Sequence, residues 1–217
     1  MKNDLVITID GPSASGKGTC GRYLASKLGF LFVDTGAMYR ALTWHCLEQS
    51  VPVEETGRVV ELVRTWPAEM RVVDREVKLL VAGYHPAEEI RSDTVAKNVA
   101  KFSPIAAVRI WMVRTQRECL QFGSLVMDGR DIGTHVFPET PFKFFLTASD
   151  EVRALRRRAE GSQEDTAERD RRDRARPVAP LEPARDAVIV DNSHTEASVT
   201  GDFMLAHVLA KRQRLGI

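Results

Sequence analysis

Residues 5–19 read LVITIDGPSASGKGT, an apolar run followed by Gly11, four spacers, Gly16 and Lys17, and then a helical pattern. This is the phosphate-binding loop pattern in its proper setting, a strand before it and a helix after it. Glycines let backbone wrap closely around phosphate oxygens, and successive N–H groups line the hollow. The helix contributes its positive N-terminal end, and Lys17 a full charge for the β- and γ-phosphates. Gly11, Pro12, Ser13, Ala14, Ser15, Gly16, Lys17, Gly18 and Thr19 are therefore expected to bind a nucleoside triphosphate. The loop lysine is usually followed by Ser or Thr, whose hydroxyl ligates magnesium. Gly18 stands there instead, so the ion is expected to rest on phosphates, water and a distal carboxylate.

Two more segments place an acid at the end of an apolar run: FVDTGAMYR, with Asp34, and VMDGRD, with Asp128. Asp128 suits either of two roles, helping to organise magnesium or holding Lys17. Cations are plentiful. Arg153 and Arg157 lie one helical turn apart and so share a face. Residues 169–176 read RDRRDRAR, followed by PVAPL. Guanidinium groups neutralise the spread charge of a phosphoryl group in flight, and one that reaches it is worth ~10³–10⁵ in rate, about 4–7 kcal/mol of barrier. The bland reading of the run is a solvated helix face with internal Arg–Asp pairs.

These groups need a scaffold. Short apolar runs at 5–9, 30–33, 125–127, 142–146 and 187–190 read as buried strands. Helical patterns fall at 18–28, 37–49, 103–121, 150–159 and about 195–212. Such alternation predicts a three-layer α/β domain with a parallel central sheet and ligands at the carboxyl ends of its strands. Between 51 and 91 the alternation breaks, and MRVV and EVKLLV flank Asp74-Arg75 as a hairpin. That stretch is expected to be an inserted lobe with a small antiparallel piece. Ser92 is placed to cap the helix after it.

Composition sets limits. The 217 residues suffice for one good core plus a lobe. A net charge of +1 offers no global field suited to nucleic acid or an anionic membrane. No apolar run approaches the ~20 residues of a membrane span, and MKND lacks a signal-peptide core. Cys20, Cys46 and Cys119 are scattered, which suits buried thiols in a reducing cytoplasm and argues against zinc.

Taken in order, IDGPSASGKGT, DTGAMYR, DGRDIGTHVFP and ERDRRDRARPVAPL resemble the bacterial-type cytidylate kinases over essentially the full chain. The resemblance implies γ-phosphoryl transfer from ATP to CMP or dCMP with Mg²⁺, by a cytoplasmic and mostly monomeric enzyme. It implies a core of about 1–34 and 122–217, a monophosphate-binding lobe of about 35–121 and an arginine-rich lid at about 158–172. Lys17, Arg157, Arg174 and Arg176 match catalytic cations; Arg153 is read instead as a guanidinium that stacks on adenine. Thr35, Arg40 and Arg130 match the holders of the monophosphate, Arg40 on the first turn or so of its helix. Tyr39 beside it reads as packing or support. Arg169 and Asp173 match residues at the sugar hydroxyls. Arg109 and Asp131 match the cytosine readers. Cytosine offers its N4 amine to a carboxylate and its N3 and O2 to a guanidinium. Uracil reverses those polarities, and a site built on buried hydrogen bonds rejects such an analogue by ~10⁴.

Two departures carry consequences. Where the family pattern has a base-contacting serine this chain has Ala100, so that contact is missing or comes from a neighbour such as Ser103. The stretch 160–168, EGSQEDTAE, is shorter than the family's lid, which predicts incomplete cover over ATP and some hydrolysis without acceptor. The competing enzyme reading is a phosphate-loop kinase of another small acceptor, such as UMP. A nucleotide-dependent binding module that no longer catalyses fits less well, because Lys17 and the arginines are all present.

Overall fold

The computed structural model describes residues 4–159 and 166–217. It contains two compact units: Asp34–Gln121 forms one, and the chain on either side of it forms the other.

In the flanking unit the strands are β1 (Val6–Asp10), β2 (Leu31–Asp34), β5 (Leu125–Gly129), β6 (Phe142–Thr147) and β7 (Val188–Asp191), in the order β2-β5-β1-β6-β7. β1 pairs in parallel with β5 and with β6, and β6 in parallel with β7. Every residue of β1 and of β5 is buried, so both faces of the sheet are covered, as the unalternating apolar runs require. Ile7, Ile9, Phe142, Phe144 and Leu146 share one cluster with Leu24 of α1 (Lys17–Leu28) and Met204 and Val208 of α8 (Ala197–Leu215). The chain leaves β1, places β2 beyond β5, and later lays β6 on β1's other side. The order therefore reverses at β1, where ligands of open parallel sheets bind.

Two glycines in the loop after β1 answer to close approach. Gly11 has φ +147°, and a Cβ there would collide with the Leu146 carbonyl of β6; Gly16, at φ +97°, would push its Cβ into the Asn192 side chain. α6 (Asp150–Ala159) covers the helical pattern expected there. α7 (Thr166–Arg174) has no apolar period and so falls outside the helical patterns read above, although the bland reading of the arginine run made part of it a helix face. Its buried residues are Thr166, Asp170 and Asp173, a polar stripe at helical spacing.

The inserted unit holds α2 (Thr35–Glu48), α3 (Thr56–Thr65), the antiparallel pair β3 (Ala68–Val73) and β4 (Glu76–Val81), α4 (Asp93–Phe102) and α5 (Ala106–Glu118). Asp74 and Arg75 both take positive φ, 52° and 61°, the two-residue turn whose twist suits a hairpin. The Ser92 hydroxyl accepts from the Val95 N–H and caps α4. α3 goes beyond the sequence reading, although Val59, Leu62 and Val63 sit at helical spacing and are buried.

Candidate active site

The carbonyls of the phosphate loop are held one at a time, the first by the loop's own lysine and the others from outside it. Lys17 Nζ donates to the Pro12 carbonyl at 2.6 Å. Arg153 Nη1 donates to Ser13 O at 3.1 Å, Arg156 Nη1 to Ala14 O at 3.3 Å, and Asn192 Nδ2 to Ser15 O at 2.9 Å. In a planar trans peptide the next residue's N–H points opposite to the carbonyl. Holding the carbonyls of Ser13, Ala14 and Ser15 thus turns the N–H groups of Ala14, Ser15 and Gly16 away from the braces, as an anion cradle needs. Asn192 is itself set by Thr200 Oγ1, which donates to its Oδ1 at 2.7 Å, and Arg156 Nη2 donates to its carbonyl at 2.7 Å.

Cations gather at Lys17. Burial, and then the nearby Arg130 and Arg169 charges, push its ammonium down to about 7, against the opposing pull of Asp128 and Asp10. Three positive groups close enough to repel one another describe a seat for an anion. Asp128 Oδ2 lies 3.6 Å from where a Cβ on Gly18 would be, so a carboxylate flanks the position of the missing hydroxyl. Among the described residues no group of three or more His, Cys, Asp or Glu could hold a metal ion. The Asp128 carboxylate beside position 18 fits a magnesium ion carried chiefly by phosphates and water.

Asp10 escaped the sequence reading. It closes β1 as Asp34 closes β2, with Asp128 one residue short of the end of β5, and that repeated pattern was the available signal. Its two oxygens accept from Ile132 N–H at 2.8 Å and Gly133 N–H at 2.7 Å, so it holds the turn just after Asp131. Burial pushes the Asp10 carboxyl up to about 6, with the two backbone N–H groups pulling the other way and the Asp131 charge adding a smaller upward push. Asp131 is buried too, and its carbonyl accepts from His135 and Val136 N–H.

Arg130, Asp173 and Arg176 come together. Arg130 Nε meets Asp173 Oδ2 at 3.1 Å, and Arg176 Nη2 meets Asp173 Oδ1. Arg157 is half-buried and Arg174 exposed. Arg153 departs from expectation. Its side chain is 4% exposed, bound to Asp170, to Asp150 and to the Ser13 carbonyl. A guanidinium buried in three such contacts supports the loop and offers no open face for adenine to stack on. Residues 160–165, in the middle of the expected lid, lie outside the described residues, and with them most of the short EGSQEDTAE stretch.

The inserted unit carries Thr35, Arg40 and Arg109. Asp34 caps α2 by accepting from Ala37 N–H at 2.8 Å, which starts the helix at Thr35 and puts Arg40 in its second turn rather than its first. Arg40 Nη2 lies 3.7 Å from Asp34 Oδ2. Tyr39 Oη accepts from Arg109 Nη1 at 3.4 Å, so the tyrosine supports a candidate base reader. Ser103 is buried, and its hydroxyl finds no partner among the described residues.

A parallel sheet whose first strand runs into a lysine-bearing phosphate loop, with arginines gathered at that lysine, defines a P-loop kinase fold. The cytidylate kinase family profile matches residues 7–208. Relatives named cytidylate kinase include that of Bacillus velezensis, 39% identical over 94% of this chain and 96% of its own length. That of Bacillus subtilis is 36% identical over 97% and 99%. That of Anoxybacillus flavithermus is 40% identical over 89% and 91%. The chain belongs to the cytidylate kinase family. Solved structures that share the fold include a gluconokinase from Sinorhizobium meliloti, with TM-score 0.55 and 15% identity over 98% of this chain and 95% of that one. TT1252 from Thermus thermophilus has TM-score 0.52 and 20% identity over 97% and 98%. Likeness at such identity concerns the fold alone.

Proposed function

We propose that this protein transfers the γ-phosphoryl group of ATP to CMP or dCMP, giving ADP and CDP or dCDP. The observation that carries the reading is the phosphate loop whose carbonyls are held by Lys17, Arg153, Arg156 and Asn192, with its buried lysine close to Arg130 and Arg169. Cations gathered at a phosphate loop suit a polyphosphate ligand, and phosphoryl transfer depends on such prepositioned charge. Residues 11–19 take the ATP phosphates, with the N–H groups of Ala14, Ser15 and Gly16 turned to them. Mg²⁺ entering with ATP would neutralise β- and γ-oxygens, with Asp128 reaching it through water.

On the acceptor side, Thr35, Arg40 and Arg130 hold the monophosphate, and Arg169 and Asp173 the sugar hydroxyls. Asp131 accepts from the cytosine amine, while Arg109, steadied by Tyr39, faces the ring acceptors. Arg157, Arg174 and Arg176 supply charge to the group in transfer. Asp173 is occupied by Arg130 and Arg176. Binding the acceptor therefore exchanges part of that network for contacts to the nucleotide, which makes Arg176 available to the phosphates. The test is ADP release measured with CMP, dCMP, UMP and AMP under ATP and Mg²⁺. The two cytidine nucleotides are expected to turn over far faster than the others, and UMP matching CMP would refute the assignment of the base readers.

A further inference from the structure

The carboxylate of Asp170, on α7, accepts from the Ser13 N–H of the phosphate loop at 3.2 Å. Its other oxygen pairs with Arg153 Nη1, and that same nitrogen donates to the Ser13 carbonyl at 3.1 Å. Arg153 Nη2 is held in turn by Asp150 at 2.6 Å. Both groups of Ser13 are thus gripped by one ion pair, with partners on the two helices that flank residues 160–165. The pair is buried, each side chain 4% exposed.

An isolated buried ion pair is poor value for stability, since desolvation cancels most of the attraction. This one does something an apolar pair of the same volume cannot do. Arg153 donates and Asp170 accepts, which matches in polarity the C=O and the N–H of Ser13. The same contact sets the rotation of α7. Asp170 lies between Arg169, whose charge reaches Lys17, and Asp173, which bridges Arg130 and Arg176.

We propose that Arg153 and Asp170 form a positioning strut that sets the Ser13 peptide of the phosphate loop and, through α7, the placement of Arg169 and Asp173. Neither residue touches the reacting atoms; they act through the loop and the helix. The inference rests on the kinase reading for its effect on transfer. Its effect on ATP affinity needs no acceptor.

The experiment uses the full chain. In the wild-type protein without nucleotide, amide hydrogen exchange read by NMR is expected to show a protected Ser13 N–H. Exchange there at the rate of an open loop overturns the strut whatever the variants do. Asp170→Asn keeps the shape and one acceptor but neutralises the pair, and Arg153→Met with Asp170→Leu replaces the pair by apolar groups. ATP affinity by calorimetry is expected to fall about tenfold or more in both. The kcat for CMP is expected to fall with it, and the double variant to melt close to wild type. A folded variant with wild-type ATP affinity and kcat shows the pair to be packing only and sinks the proposal. If wild type binds ATP yet leaves CMP untouched, the acceptor assignment is wrong, and the affinity data still decide the strut.

Discussion

Lys17 donates to the carbonyl of Pro12, five residues back in the same loop, at 2.6 Å. The loop lysine is thus parked on its own backbone, with Ser15 Oγ at 3.5 Å as a second neighbour. Polyphosphate offers that ammonium better acceptors, so binding exchanges an internal contact for an external one.

Proton uptake follows. With its pKa at about 7, Lys17 is largely neutral at pH 8 and largely charged at pH 6. Phosphate oxygens restore the charge, so ATP binding is expected to take up close to one proton at pH 8 and little at pH 6. Calorimetry in buffers of different ionisation enthalpy reads this directly, and a pH 8 heat that ignores the buffer contradicts it. Lys17→Ala is expected to abolish the uptake and cut turnover by about 10²–10³. Its melting temperature is not expected to fall, since a buried cation is being removed.

Asp131→Ala addresses the base. Loss of the acceptor for the cytosine amine is expected to collapse the preference for CMP over UMP, of which such sites supply up to ~10⁴. KM for ATP is expected to stay within a few-fold. Competition assays with both nucleotides settle it: an undiminished preference places the reader elsewhere.

Gly18→Ser restores the hydroxyl that loops of this type usually carry. The new Cβ would lie 3.0 Å from the flexible end of Arg22 and 3.6 Å from Asp128 Oδ2, so the change is tolerable. A further oxygen beside Asp128 is expected to lower the magnesium concentration for half-maximal rate several-fold. A titration curve identical to wild type means that position 18 does not face the ion.

Asp10 makes stability depend on pH in a stated direction. Its carboxyl titrates near 3.8 when unfolded and at about 6 when folded. Between those values the unfolded chain loses the proton first. The group's contribution is therefore complete below pH 3.8 and is lost as pH rises through about 6, a change on the order of 3 kcal/mol. Asp10→Asn cannot titrate, and it leaves an amide N–H facing that of Gly133. Wild type is expected to exceed the variant by more at pH 4 than at pH 7.5 in denaturant melts. Equal gaps at both would mean that Asp10 is not held as described.

The hairpin at Asp74-Arg75, the cap at Ser92 and the start of α1 were legible because each is a local rule over a few residues. The edges of β1, β2, β5, β6 and β7 were legible within a residue or two, because buried parallel strands are short apolar runs. α7 was not. A helix reader looks for an apolar stripe, and here the stripe is Thr166, Asp170 and Asp173. Asp170 and Asp173 are buried only because Arg153, Ser13, Arg130 and Arg176 come to meet them. Arg153 was misjudged for the same reason: an arginine on a charged helix face reads as free to stack, and its burial depends on a residue of another helix.

Chemistry written into contiguous residues was settled by the chain order alone: the phosphate loop, the lysine, the acids that end strands and the arginine-rich run. Orientation was not. Which carbonyls turn outward and which arginine braces the loop depend on partners such as Asn192 and Asp170, 177 and 157 residues away from the loop positions they hold. Charge and hydrogen bonding act through space over a few ångströms, and only folding brings such distant groups that close.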